Sequence, residues 1–304
     1  MPLLRKIQLL MLLALACVPP AYAKGELSSK QARKLVATMP GVAFKSSTVH
    51  VGGIRSIDAG TAQANVEIAT AFRLEKDDNG KWRVADFRTG QDRWERIDFI
   101  HRLLKVEESE SVCNRENGDR PSANLSNRRA RCLLAELLGV TLPSDAVRIK
   151  DISSISLPFG AKSSALVDAV VTAEVQFTRA DKGAWRVSGI RTGARNWVDP
   201  QTIFDGLNGE KILAARAELN ALAKALEELR AQRGSYVDSK SEAVLVDVLS
   251  PRYLKNVIRL DPWHHPYLYE GTLTNFTLRS IGADGHENTA DDIVIGGPTR
   301  SSVN

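Results

Sequence analysis

The chain has 304 residues, 43% of them hydrophobic and 25% charged, with a formal charge of +5. That composition belongs to an ordinary globular protein and excludes a disordered or collagen-like chain. The length is too great for one small domain and suits two or three.

The first 23 residues read as a targeting segment rather than as fold. Arg5 and Lys6 form a charged start, Ile7 to Val18 is an apolar run, and Ala21-Tyr22-Ala23 is an A-x-A cleavage site. The apolar run is too short to span a bilayer as a helix. A secretory signal peptide over 1–23 is expected, with the mature chain starting at Lys24, carrying no membrane span and placed in the periplasm or outside the cell. The alternative is a lipoprotein signal with Cys17 lipidated, but Ala14-Leu15-Ala16 matches that pattern poorly. Removing Arg5 and Lys6 lowers the formal charge from +5 to +3.

An internal repeat fills the middle of the chain. Gly80-Lys81-Trp82-Arg83-Val84-Ala85-Asp86-Phe87-Arg88-Thr89-Gly90 matches Gly183-Ala184-Trp185-Arg186-Val187-Ser188-Gly189-Ile190-Arg191-Thr192-Gly193, and Trp94 matches Trp197. Eight of these fifteen positions are identical, at a constant shift of 103. Leu35, Val36 and Gly41 align with Leu133, Leu134 and Gly139; Ile100 and Leu104 align with Ile203 and Leu207. Two copies are too few for a solenoid, so a duplicated domain is expected, over 24–104 and 126–208, with a linker over 105–125.

Each copy reads as a helix followed by antiparallel strands. Ser28 and Gln31 form a capping box, Ala32, Leu35, Val36 and Met39 make one helical face, and Pro40-Gly41 stops the helix. A strand over Val66–Phe72 turns through Asp77-Asp78-Asn79-Gly80 into a partner over Trp82–Phe87. The second copy has a strand over Leu166–Phe177 and a turn at Asp181-Lys182-Gly183, and a short helix closes each copy. This α+β pattern resembles the cystatin-like or ketosteroid-isomerase-like class.

Strict alternation from Trp82 puts Trp82, Val84 and Asp86 on one face and Arg83, Ala85 and Phe87 on the other. The plain reading makes the tryptophans core and the arginines solvated or paired with acids. The sharper reading has Arg88 and Arg191 lining equivalent clefts and binding an anionic ligand or a partner carboxylate. Between the copies, Cys113 and Cys132 read as a disulfide in an exported protein. It closes a loop of about 20 residues, worth roughly 3 kcal/mol in the chain-entropy model. The arginines nearby are interspersed with acids, and with the export signal this argues against nucleic acid as a partner.

From Gly209 a long helix is expected. Ile212, Ala215, Leu219, Leu222, Leu226 and Leu229 form an apolar stripe ending at Gly234. It either packs on a C-terminal sheet or also mediates self-association. Beyond it lie Asp261-Pro262-Trp263-His264-His265-Pro266-Tyr267, then a strand over Phe276–Ser280, then an acidic loop carrying Asp284, Asp291 and Asp292. Carboxylates on a glycine-punctuated loop suit a hard cation such as calcium, although the spacing is not that of an EF-hand.

Order and spacing over Ile212–Ile293 resemble the globular part of the G-type major pseudopilin of type II secretion. The pieces are Gly234-Ser235-Tyr236, Tyr253-Leu254, Asp261 to Tyr267, Ser280-Ile281-Gly282-Ala283-Asp284-Gly285 and Ala290-Asp291-Asp292-Ile293. The resemblance implies a long helix on a small antiparallel sheet over 209–304, and a calcium site at Asp284, Asp291 and Asp292 with the Ile281 carbonyl. His264 stands where the family has glycine, and Val237 where it has proline. The family's N-terminal pilin helix has no counterpart, so the resemblance implies a fold and an ion site, not a fibre subunit.

No G-x-S-x-G, H-E-x-x-H or phosphate-cradling loop is present. The expected function is non-enzymatic: an envelope protein with structural or protein-interaction duties, linked to a secretion or pilus-like system and partnered by other envelope proteins. The alternative is a periplasmic ligand binder or enzyme using clefts in the repeats.

Overall fold

The computed structural model describes residues 26–104, 111, 113, 125–155, 163–180 and 183–297. The expected signal peptide, Cys17, most of the linker and residues 181–182 of the second turn lie outside them. The chain divides into two compact units, Met1–Trp94 with Glu110–Pro200, and Glu95–Ser109 with Gln201–Asn304.

The first unit holds most of both repeats. Helix α1 (Ser29–Ala37) is followed by β1 (Val49–Ser56), β2 (Thr61–Lys76), β3 (Trp82–Arg88) and the short β4 (Trp94–Arg96); α2 (Ile97–Leu103), next along the chain, belongs to the second unit. The second copy runs α3 (Asn127–Leu138), β5 (Val147–Ile155), β6 (Ser164–Arg179) and β7 (Trp185–Arg191). The capping box forms as expected: Ser28 Oγ accepts from the Gln31 N–H at 3.3 Å, and Gln31 Oε1 accepts from the Ser28 N–H at 3.2 Å. Helix α3 is capped by Ser126 and stops at Gly139, whose φ of +66° is open to glycine at little cost.

The two copies share one seven-stranded sheet. Its order is β4-β3-β2-β6-β5, with β1 also on β2 and β7 also on β6. β2 and β6 pair antiparallel along nearly their whole length, from Thr61↔Thr178 to Glu75↔Ser164. In this register Ile68 faces Val171, its own counterpart at the repeat shift of 103, so a local two-fold axis passes through that rung. Both central strands outrun the expected Val66–Phe72 and Leu166–Phe177, β2 by far the more, because each is held on both edges. Alternate residues Ala62, Ala64, Val66, Phe72 and Leu74 of β2, and Ala165, Val167, Val175 and Phe177 of β6, are buried in one core with Ala32 and Val36 of α1 and Leu133 and Leu134 of α3.

Strict alternation along β3 does not hold. The register shifts at Ala85, so that Phe72 faces Phe87, Arg73 faces Asp86 and Leu74 faces Val84. This bulge turns Phe87 onto the core face with Trp82 and Val84, and Asp86 onto the opposite face. There Arg73 Nε donates to the buried Asp86 at 2.6 Å.

The second unit is built on helix α4 (Pro200–Arg233). It begins nine residues before the expected Gly209. Pro200 suits a first turn, where its missing N–H is no loss, and the interior glycine at 206 answers a packing need. A Cβ there would lie 2.3 Å from Leu103 Cδ1 of α2. The two elements are also joined by Arg102 Nε to Glu210 Oε2 at 2.7 Å. Beside them Lys211 Nζ meets Glu95 Oε2 at 2.7 Å, with both side chains 4% exposed.

The expected stripe is the unit's core. Ala215, Leu219, Leu222, Leu226 and Leu229 are buried, with Ile212 at the margin, against Leu245 and Leu249 of α5 (Glu242–Leu249) and a three-stranded sheet. The sheet is antiparallel with order β10-β9-β8, where β8 is Leu268–Gly271, β9 is Phe276–Ser280 and β10 is Ile293–Gly296. The stripe is thus covered within the unit, as in the first of the two expected readings. Tyr267 and Glu218 lock helix to sheet, with the Tyr267 hydroxyl donating to Glu218 Oε2 at 2.6 Å. Burial holds the Glu218 carboxyl above the usual carboxylate range, and the Tyr267 hydrogen bond opposes that rise. No helix among the described residues is long and apolar enough to cross a membrane.

Candidate functional site

The Asp-Pro-Trp turn is organised by one buried carboxylate. Asp261 Oδ1 accepts from the N–H groups of Trp263 at 3.0 Å and His265 at 2.9 Å. Its Oδ2 accepts from Ser280 Oγ at 2.6 Å, which ties the turn to the first residue of the Ser-x-Gly-Ala-Asp-Gly loop. His265 Nδ1 lies 3.0 Å from the Gly282 carbonyl, a second tie between the same segments. Gly282 has φ +64°, and a Cβ there would sit 2.4 Å from Asp291 Oδ2. The glycine therefore serves both a left-handed turn and the approach of a carboxylate.

The three sequence-selected aspartates are brought together around Thr289. Its Oγ1 lies 2.7 Å from Asp291 Oδ1, 3.4 Å from Asp284 Oδ1 and 3.4 Å from Asp292 Oδ1, and 3.1 Å from the His286 carbonyl. One hydroxyl hydrogen cannot serve four acceptors, so these contacts cannot all be full hydrogen bonds at once. Asp291 Oδ2 accepts from the N–H groups of Ala283 at 2.7 Å and Asp284 at 3.0 Å. The Thr289 hydroxyl, then these amides, hold the Asp291 carboxyl below the usual range. Asp292 Oδ2 accepts from the Asn288 N–H at 2.9 Å and from Arg279 at 3.0 Å.

Among the described residues, no group of three or more His, Cys, Asp and Glu side chains stands ready to hold a metal ion. The aspartates meet through Thr289 instead. The donor set nonetheless fits a hard cation in kind, with carboxylates, a hydroxyl and backbone carbonyls only. Ile281 directly precedes Gly282 in the loop. Sequence reasoning missed Thr289 and Arg279; a threonine two residues before Asp291 was the available signal for the first.

Arg88 and Arg191 occupy equivalent places on the sheet face opposite Trp82. Arg88 lies 6.0 Å over the Trp94 ring, and Arg191 lies 4.8 Å over Trp197. Each reaches one carboxylate, Arg88 to Asp168 at 3.7 Å and Arg191 to Glu174 at 2.8 Å. The partners are not repeat equivalents. Asp168 pairs across the sheet with Ala71 and Glu174 with Asn65, so each of these two symmetry-related rungs carries a single acid, both times on β6 of the second copy. The arginine side chains remain 35% and 37% exposed. A second repeated stack has Lys76 over Trp82 at 5.3 Å and Arg179 over Trp185 at 4.7 Å.

The disulfide forms as expected between Cys113 and Cys132, with Cα atoms 5.7 Å apart. A cavity of about 520 Å³ adjoins it, lined by Cys113, Asn127, Arg131, Cys132, Leu142 and Pro143 among others. It is not the cleft expected at Arg88 or Arg191.

Residues 202–296 match the family model of type II secretion system (T2SS), protein G. The match covers α4, the small sheet and the aspartate loop, and its start agrees with a helix that begins at Pro200. This part of the chain is similar to that family. No curated protein and no solved structure matches the chain.

Proposed function

From a protein G-type head on a duplicated body, we propose that this chain is an exported, non-enzymatic envelope protein. Its C-terminal unit holds calcium and serves a structural or protein-interaction role in a secretion or pilus-like assembly. The observation that carries this reading is the family match over 202–296, with Asp284, Asp291 and Asp292 converging on Thr289 inside it. Calcium would be held by those carboxylates and the Ile281 carbonyl, and its charge would relieve their mutual repulsion. Export rests on the pattern of the first 23 residues and agrees with the disulfide, which persists in oxidising compartments. The partners would be other envelope or secretion-system proteins, engaged through the body, where the exposed parts of Arg88 and Arg191 offer two equivalent contacts for carboxylates.

Calcium binding is tested on the full mature chain by thermal melting. Chelator is expected to lower the melting temperature, and Asp291→Asn to abolish the difference between chelator and calcium. Identical melting curves with calcium and with chelator would remove calcium from the reading. Export predicts a mature terminus at Lys24; N-terminal sequencing that finds Met1, or a lipidated Cys17, would overturn it.

A further inference from the structure

The aspartate loop already contains a fixed positive charge. Arg279 lies on β9 with its side chain 24% exposed. Its Nη1 donates to Asp292 Oδ2 at 3.0 Å and to Asn288 Oδ1 at 2.7 Å. Asn288 has φ +66° and returns its own N–H to the same Asp292 Oδ2 at 2.9 Å. Arg279 thus clamps the outer oxygen of Asp292 and the backbone turn beside it. The other oxygen, Oδ1, faces Thr289 with the remaining two aspartates. The guanidinium therefore stands behind one carboxylate, on the far side from the point where the acids converge.

We propose, resting on the calcium reading above, that Arg279 is the loop's built-in counter-cation. It holds the segment 284–292 in order without a metal and keeps the affinity for calcium low. The reason is electrostatic. Three carboxylates and one guanidinium carry a net charge of about −2 rather than −3, counting each group as a unit charge. A divalent ion entering beside Asp292 is opposed by a unit positive charge a few ångströms away. Even with the screening of bulk water, that repulsion is worth about a tenfold loss of affinity. An arginine that only positioned Asp292 would act in the opposite sense, since its loss would disorder a ligand and weaken binding.

The sign of the effect makes the test. The full chain, its Arg279→Gln variant and its Arg279→Lys variant are titrated with calcium chloride by calorimetry, and each is melted in chelator and in calcium. Gln keeps an amide donor for Asp292 and deletes the charge; Lys keeps the charge and loses the fork. Arg279→Gln is expected to bind calcium about tenfold tighter than wild type, to melt lower in chelator and to recover in calcium. Arg279→Lys is expected to bind within about threefold of wild type. Should Arg279→Gln fail to fold, Arg279→Met is read in the same way. Equal or weaker calcium binding by the folded neutral variant would overturn the counter-cation role and leave the calcium reading standing. Absence of calcium binding by both wild type and the neutral variant would overturn both.

Discussion

His264 is the residue at which this chain departs most visibly from the family motif, and the backbone shows what the departure costs. Its φ is +71°, in the left-handed region that favours glycine. A residue with a β-carbon pays about 1–2 kcal/mol there. Glycine at the same place would relieve that strain and lose part of the gain to its greater freedom in the unfolded chain. His264→Gly is therefore expected to stabilise the second unit by about 0.5–1 kcal/mol, seen as a raised melting temperature. A lowered one would mean that contacts of the imidazole outweigh the backbone strain. Asp261 is the contrasting case. It is the motif residue whose buried carboxylate serves two backbone N–H groups and Ser280 at once.

Among the elements, β4 and α4 depend on each other through a buried ion pair. Lys211 and Glu95 are both almost fully buried, 2.7 Å apart. Breaking such a pair strands one charge away from water and costs about 3–5 kcal/mol, whereas replacing both partners by apolar groups is often neutral. Glu95→Ala or Lys211→Ala alone is expected to destabilise the second unit by about that amount in urea unfolding. The double variant Glu95→Leu, Lys211→Met should recover most of the loss; simple additivity of the two single losses would contradict the pairing. The same buried pair shows that a segment cut at Gly209 would leave Lys211 without Glu95. Residues 95–109 belong with 201–304 although a whole repeat separates them along the chain.

For the whole molecule, one staple is covalent and a second is proposed. The disulfide Cys113–Cys132 closes a loop of 19-residue separation in the first unit. The proposed calcium loop lies in the second. Reduction is expected to lower the stability of the first unit by roughly 3 kcal/mol, the loop-closure entropy returned to its unfolded chain. Scanning calorimetry should then show reductant moving one transition and chelator the other. Both agents moving one common transition would show that the units melt together.

Local chemistry alone determined the capping box at Ser28, the hairpin at Asp77–Gly80, the apolar stripe of α4 and the motif order that identifies the C-terminal head. Each depends on residues a few positions apart, and periodicity and turn preference act over that range. Tertiary structure alone decided the rest. Neither repeat shows by its own pattern that β2 will pair with β6, because an exposed strand edge is equally ready for any partner. The bulge at Ala85 reverses the faces of Asp86 and Phe87, and one inserted residue leaves no mark on hydrophobic alternation. The helix start at Pro200 was hidden by the interior Gly206, a poor helix former kept by the approach of Leu103. The three aspartates were visible as a cluster, but Thr289 between them and Arg279 behind them came into place only when β9 and β10 paired. Pairing at a distance is set by which surfaces remain to be covered, and that is a property of the folded chain.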